Sequence, residues 1–97
     1  MIVVAISLSD GDDVGNVLEK VRTGDEITIL GKSKKILANS DIPKHHKVSL
    51  RSIPEGSIVT RDGFPIGFAS SDINEGSHVH IHNLKSLRTS SKQGAQL

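Results

Sequence analysis

Three histidines alternate with aliphatic residues near the carboxyl end of the chain, in the string HVHIHN at positions 78–83. If this segment is a β-strand, its alternation places His78, His80 and His82 on one face and Val79 and Ile81 on the other, toward the core. Cα atoms two residues apart in a strand lie about 6.5–7 Å from each other, close enough for two ring nitrogens to converge on one metal ion. Three such rings would span about 13 Å and would need a bulge to converge. The spacing therefore favours a converging pair over a triad.

Neutral imidazole suits both proton transfer and binding of a divalent metal, and the residue types do not separate these uses. A complete metal site needs three or four ligands, and the chain has no cysteine and no helical His-Glu motif to supply them. His45 and His46, in a predicted turn, are the other histidines that could reach the same region. The alternative, which alternation alone favours, is that these histidines are simply solvated side chains on outward faces.

Composition narrows the classes of function. The chain has 97 residues, which is one domain, and 12 Lys and Arg against 11 Asp and Glu give a net charge of +1. With that balance and only two aromatic residues, nucleic acid is not an expected partner. A domain of this size has little interior for a deep cavity, so an active site would need walls from a partner.

The first eight residues, MIVVAISL, are apolar but lack a basic start and are followed by SDGDD. This pattern predicts a buried strand rather than a signal peptide or a membrane span, so we expect no membrane association. The absence of cysteine fits a reducing compartment, and we expect a cytoplasmic protein.

The elements that must position the histidines are mainly β. One short α-helix is predicted from Val14, because apolar residues follow it at i+3, i+4 and i+7, and Gly24 is placed to stop it. Asp12 or Asp13 would cap its first turn. Strands are predicted at Met1–Leu8, Glu26–Leu30, Lys35–Ala38, Lys47–Leu50, Ser57–Arg61, Pro65–Ala69 and His78–His82.

Turn signals divide these strands. Asp62-Gly63 predicts a two-residue hairpin, with Phe64 and Phe68 in the core and the strand around Gly67 closely approached by another segment. The form I-x-E-G begins at residues 53 and 73, with an imperfect copy beginning at residue 42. Either convergent turn chemistry or an internal duplication would produce this repeat.

Two strings of the sequence resemble the small SAF-type domain that opens altronate and galactarate dehydratases. They are KVSLRSIPEGSIVTRDGFPIGFA at positions 47–69 and INEGSHVHIHNL at positions 73–84. The resemblance extends from about residue 10 to residue 84 and implies a β-clip fold with one helix packed against it. We therefore expect a single SAF-like domain over residues 1–85, followed by a polar tail at 86–97.

The resemblance also implies a function. In that family a large partner subunit supplies most of the catalytic centre, and a divalent metal, commonly iron, assists loss of water from a sugar acid. The matched positions are His80 and His82, as catalytic residues or alternatively metal ligands, and His46 and Asn83, as substrate-binding residues. His78 departs from the family pattern, because a tryptophan is usual there.

We accordingly expect this chain to be the small subunit of a sugar-acid hydro-lyase and to be inactive alone. We expect it to end where fused relatives enter the linker to the large domain. A relative of the family desulfonates sulfolactate, so the leaving group is open. Exposed strand edges would allow self-association into a homo-oligomer. The alternative function is a non-catalytic SAF-type module that binds a sugar acid or a protein partner, because a fold alone does not fix activity.

Overall fold

The computed structural model describes residues 2–86, which form nine β-strands and no helix. Six strands make one sheet in the order β4-β3-β1-β2-β5-β8, and β6, β7 and β9 make a second. Strands β1 and β3 pair in parallel, whereas the other paired strands are antiparallel. The strands are β1 (Ile2–Ile6), β2 (Val14–Val17), β3 (Glu26–Ile29), β4 (Lys35–Leu37), β5 (Lys47–Ser49), β6 (Ile58–Arg61), β7 (Phe64–Ala69), β8 (His78–Val79) and β9 (Leu84–Lys85). The prediction of a mainly β, β-clip-like domain is confirmed.

Nothing in residues 2–86 is a helix long and apolar enough to cross a membrane. The predicted polar tail, apart from Ser86, lies outside the described residues.

The predicted helix is wrong. Its first residues form strand β2, and Val14 and Val17 are both fully buried. Two residues three positions apart in a strand point to opposite faces of the sheet. The two valines accordingly pack into different hydrophobic clusters, one on each side of the sheet. A strand that is buried on both faces has no alternation of apolar and polar residues. The spacing of its apolar residues then happened to match that of a helix. Gly15 and the β-branched valines, which are poor helix formers, were the contrary signal.

The residues expected to cap that helix instead join the two sheets. Asp12 accepts hydrogen bonds from the backbone N–H groups of Asp62 and Gly63 at 2.8 and 3.0 Å. Asp13 accepts one from the Thr60 N–H at 2.8 Å and forms an ion pair with Arg51. Both aspartates are buried, so the sheet-to-sheet connection rests on charged acceptors and not on apolar contact alone.

The hairpin between β6 and β7 is confirmed, with Asp62 at φ 54° and Gly63 at φ 83° in its turn. The close approach at Gly67 is also confirmed, because a Cβ there would lie 2.2 Å from the backbone oxygen of Lys85 in β9. The expected place of Phe64 in the core is wrong, since that side chain is 71% exposed at the end of the hairpin.

Four turns that each follow a residue of an isolated β-bridge share one hydrogen-bonded geometry, and the sequence repeat revealed three of them. In each, the fourth residue donates its N–H to the carbonyl of the first, and the third has positive φ. The third residues are Gly24, His45, Gly56 and Gly76. Reciprocal hydrogen bonds join the turns in two pairs, through Val21 with Ile42 and through Ile53 with Ile73. The repeated unit is therefore a pair of turns, and its member at Val21 lacks the I-x-E-G letters.

Candidate functional site

Three histidine rings from two parts of the sequence, His46 in one and His78 and His80 in the other, meet at one place on the surface. His46 Nδ1 lies 2.9 Å from His78 Nε2, which is hydrogen-bond distance. The rings of His46 and His80 are stacked with centroids 4.4 Å apart, and those of His78 and His80 are 5.6 Å apart. One ring nitrogen from each of the three lies within 4.8 Å of the others. We call His46, His78 and His80 the imidazole cluster.

Two neighbouring strands bring the cluster together. His46 directly precedes β5, and His78 is the first residue of β8, where it pairs with Val48 of β5. The backbone N–H of His78 also donates to the Ser40 hydroxyl at 2.9 Å. The antiparallel pairing of β5 with β8 therefore fixes the distance between His46 and His78, although 31 residues separate them in the chain.

His80 reaches the cluster from a turn, so the prediction of a strand through His82 is wrong. Strand β8 ends at Val79, after which the His80 carbonyl accepts hydrogen bonds from the N–H groups of Asn83 and Leu84 at 3.0 and 2.8 Å. Val79 is buried as expected, but Ile81 is 74% exposed and not in the core. The ring contact between His78 and His80 is the one that alternation predicts for residues two apart, whereas His46 joins them through the pairing of β5 with β8.

Asn83 lies buried at the base of this turn. Its side-chain oxygen accepts a hydrogen bond from the His80 N–H at 2.9 Å, and its amide nitrogen donates to the His78 carbonyl at 2.9 Å. Both ends of the amide are therefore occupied by backbone groups on either side of Val79. In this structure Asn83 positions two members of the cluster, and its contact with a substrate stays a prediction.

His82 and His45 lie at different distances from the cluster. The His82 ring is exposed, and its centroid is 5.3 Å from that of His78, but His82 is not part of the set of converging nitrogens. His45 is exposed at the third position of its turn, where its backbone accepts a hydrogen bond from the Asn16 amide at 3.0 Å. The structure thus joins His46, and not His45, to the same-face pair His78 and His80.

Burial lowers the pKa of His78, and the nearby His46, His82 and His80 rings lower it further. The physical causes are the cost of desolvating a cation and repulsion between neighbouring imidazolium groups. His78 is therefore a neutral ring near neutral pH. A neutral imidazole keeps a free lone pair, which can accept a proton or bind a metal ion.

Lys47, next to His46, is a candidate that sequence reasoning left without a role. Its side chain is half-buried, and burial lowers its pKa, with a smaller contribution from the positive charge of Arg61. A lysine with a lowered pKa at a functional surface can exchange a proton more readily than an exposed one. The signal in the sequence was its place directly after His46, a position matched to the family.

A group of positively charged side chains has hydrogen-bond or ion-pair partners within this chain, namely those of Lys32, Lys34 and Arg51. Lys32 donates to the Ser9 carbonyl at 2.9 Å, and Lys34 donates to the Leu50 carbonyl at 2.7 Å. Arg51 forms the ion pair with buried Asp13. These cations hold loops of the fold together, which leaves the imidazole cluster as the better candidate for chemistry.

Comparison with known proteins identifies the relatives of this chain. Residues 3–87 match the family described as altronate/galactarate dehydratase SAF domain. The chain is 39% identical to an altronate dehydratase of Bacillus subtilis over 80 residues, which are 82% of this chain and 16% of that protein. It is 34% identical to an altronate dehydratase of Escherichia coli over 74 residues, 76% of this chain and 14% of that protein.

The chain is also 31% identical to the (2R)-sulfolactate sulfo-lyase subunit alpha of Chromohalobacter salexigens over 85 residues, 81% of this chain and 90% of that subunit. It therefore matches only a small part of the altronate dehydratases but nearly all of the sulfo-lyase subunit. The sequence resemblance noted above is confirmed.

Proposed function

This chain belongs to the SAF domain family of altronate and galactarate dehydratases, and we propose that it is the small subunit of a sugar-acid hydro-lyase. In this proposal a large subunit completes the active site around the imidazole cluster. The similarity to a sulfo-lyase subunit alpha over most of that subunit supports the separate-subunit form. The single observation that carries the catalytic part is the convergence of His46, His78 and His80 on an open surface.

The reaction requires two proton movements. A base removes the proton from the carbon next to the substrate carboxylate, and the C–O bond to the hydroxyl on the next carbon breaks as a double bond forms. That hydroxyl must take up a proton to leave as water. A protonated ring of His80 or His82 would give this proton, because both lie beside the exposed Ile81 in the turn at the edge of the cluster. His46 would orient the substrate through its stacked ring.

The resemblance implies that a divalent metal, iron in many members, is held mostly by the large subunit. When bound, such an ion supplies positive charge that stabilises the developing negative charge on the carboxylate and the leaving oxygen. The proton donors and the shape of one wall would come from this chain.

An apolar side chain beside the cluster supports docking of a partner. Ile81 lies between His80 and His82 and is 74% exposed. Burying such a side chain would contribute about 2 kcal/mol to binding. A subunit that covers Ile81 would also exclude water from the neighbouring rings, which strengthens the electrostatic interactions there.

The test is reconstitution with the large dehydratase subunit of the same organism. Altronate, galactarate and sulfolactate are assayed with and without ferrous iron, with this chain present or omitted, and with a variant carrying both His80→Ala and His82→Ala. We expect turnover only with both chains present and a loss of at least about 100-fold in the double variant, the typical contribution of a general acid. Replacement of His45 by Gly is the matched control.

Unchanged turnover without this chain, or with the double variant, would refute the catalytic role. Complex formation with normal turnover in the double variant would instead support the assembly-module function.

A further inference from the structure

We propose that His46, His78 and His80 form a binding site for a divalent transition metal ion, built by this chain alone. The site would use one ring nitrogen from each residue. It goes beyond the proposed function, because it needs no large subunit and is separate from any metal that such a subunit holds.

The distances are close to those of a three-histidine site. Metal–nitrogen bonds of about 2.0–2.1 Å in a tetrahedron place the ligand atoms about 3.3–3.4 Å apart. The three nitrogens all lie within 4.8 Å of one another, and the His46–His78 pair is at 2.9 Å. Tetrahedral spacing would require the His46–His78 pair to open by about 0.4–0.5 Å and the His80 nitrogen to move closer to both.

The backbone that carries the ligands is already ordered. Pairing of β5 with β8 fixes His46 against His78, and the Asn83 amide bonds to the backbone of both His78 and His80. Such hydrogen bonds hold the backbone of His78 and His80 in place, which reduces the entropy lost on binding. The 2.9 Å hydrogen bond between His46 Nδ1 and His78 Nε2 requires a proton on one nitrogen and a lone pair on the other, and a metal ion bound to both nitrogens would displace that proton.

The donor set indicates the class of metal. Within residues 2–86, this group of converging ligand atoms contains three imidazoles and no carboxylate. Imidazole suits Zn²⁺, Co²⁺, Ni²⁺, Cu²⁺ and Fe²⁺, whereas Mg²⁺ and Ca²⁺ prefer oxygen ligands. Three protein ligands leave the fourth position of a tetrahedral ion open, as in catalytic rather than structural sites. Water, a substrate oxygen or a partner's side chain could occupy that position.

The site depends on a residue that departs from the family pattern. His78, which forms hydrogen-bonding and ring contacts with the other two ligands, stands where the resemblance predicts a tryptophan. We therefore expect His78→Trp to abolish metal binding.

The experiment titrates Co²⁺ and Zn²⁺ into the untagged full chain and follows calorimetric heat and the visible absorption of Co²⁺. We expect one ion per chain, with the intense bands of four-coordinate Co²⁺. Replacing His46, His78 or His80 by Ala should weaken binding by at least about tenfold, the loss that even removal of a supporting residue causes. Two variants are matched controls, His82→Ala and His45→Gly, and both should bind as the unaltered chain does.

Several results would overturn the inference: no binding, unaltered binding in the His46, His78 or His80 variant, or equal losses in the His82 control. Far-UV circular dichroism establishes whether each variant is folded. If the His46 or His78 variant does not fold, His80→Ala, which alters only a turn, still tests the site. Because no large subunit is present, failure here leaves the reconstitution result untouched, and failure of reconstitution leaves this result untouched.

Discussion

The side-chain oxygen of Asn83 accepts a hydrogen bond from the backbone N–H of His80, three residues earlier, and this bond acts with those from the Asn83 and Leu84 N–H groups to the His80 carbonyl in closing the turn that follows His80. The same amide donates to the His78 carbonyl, so a single buried side chain ties the turn to the end of β8. The arrangement of the imidazole cluster therefore depends on a residue that need not touch any ligand.

Replacing Asn83 by Ala should loosen this turn. The substitution leaves the His80 N–H and the His78 carbonyl without their partner, which typically costs about 1–3 kcal/mol in the free energy of unfolding. Asn83→Asp keeps an acceptor for His80 but sets an oxygen against the His78 carbonyl, so it should also destabilise the chain. Urea denaturation measures both effects. Equal stability of Asn83→Ala and the His82→Ala control would contradict this role.

His45 is the one member of its set of four turns that is not glycine at the third position. Its φ is 70°, a left-handed conformation that costs an L-residue about 1–2 kcal/mol relative to glycine. We expect His45→Gly to raise the free energy of unfolding by about 1 kcal/mol, partly offset by the greater freedom of glycine in the unfolded chain. His45→Ala, which keeps the Cβ and loses only the ring, is the control and should give no such gain. Thermal unfolding of the two variants gives the comparison.

The strands and turns were predictable because their signals are local. Asp62-Gly63 marked the hairpin because a two-residue turn between antiparallel strands favours residues that adopt positive φ. Both residues have positive φ in the structure. Gly67 marked a close approach because nothing larger than hydrogen fits against Lys85. Such features depend on neighbouring residues in the chain, or on the lack of a side chain.

The features that could not be predicted depend on contacts between residues far apart in the sequence. Val14 and Val17 gave a helical spacing because a different hydrophobic cluster covers each face of β2, and no local residue reveals that. The imidazole cluster needed the pairing of β5 with β8, which places His46 against His78 across 31 intervening residues. The sequence placed His78, His80 and His82 on one face and allowed His46 to reach the same region, but it did not show that His46 rather than His82 offers the third converging nitrogen, because alternation assumes that the strand continues past Val79.

Gly76 and Gly24 occupy the same turn position and provide a matched pair. Both have positive φ, but a Cβ at Gly76 would lie 2.1 Å from the Leu37 backbone oxygen, whereas a Cβ at Gly24 meets nothing within 4 Å. Gly24→Ala should therefore cost only the backbone strain, about 1–2 kcal/mol. Gly76→Ala adds a clash with the backbone that ends β4 and should cost clearly more. Similar losses in the two variants, measured by denaturation, would show that the contact at Leu37 relaxes freely.

The charge of Asp12 should make the free energy of unfolding depend on pH. Burial alone would raise the pKa of this carboxyl, but hydrogen bonds from Gly63, Asp62, Ser7 and Ser9 outweigh burial and bring its pKa below the usual 3.8. Because the folded-state pKa is the lower one, the carboxylate's contribution is complete above the unfolded pKa of 3.8 and is lost as pH falls through the folded value.

We therefore expect Asp12→Asn to lower the free energy of unfolding by about 1–3 kcal/mol near pH 7, because the amide cannot accept all the N–H donors at the β6–β7 turn. The gap between this variant and the unaltered chain should narrow as the pH falls below about 4, where the native carboxyl also becomes neutral. Asp10→Asn, at a fully exposed side chain in a weak ion pair with Lys32, is the control and should change stability little at any pH. A gap that stays constant from pH 7 to pH 2 would show that shape, and not charge, accounts for the role of Asp12 in joining the sheets.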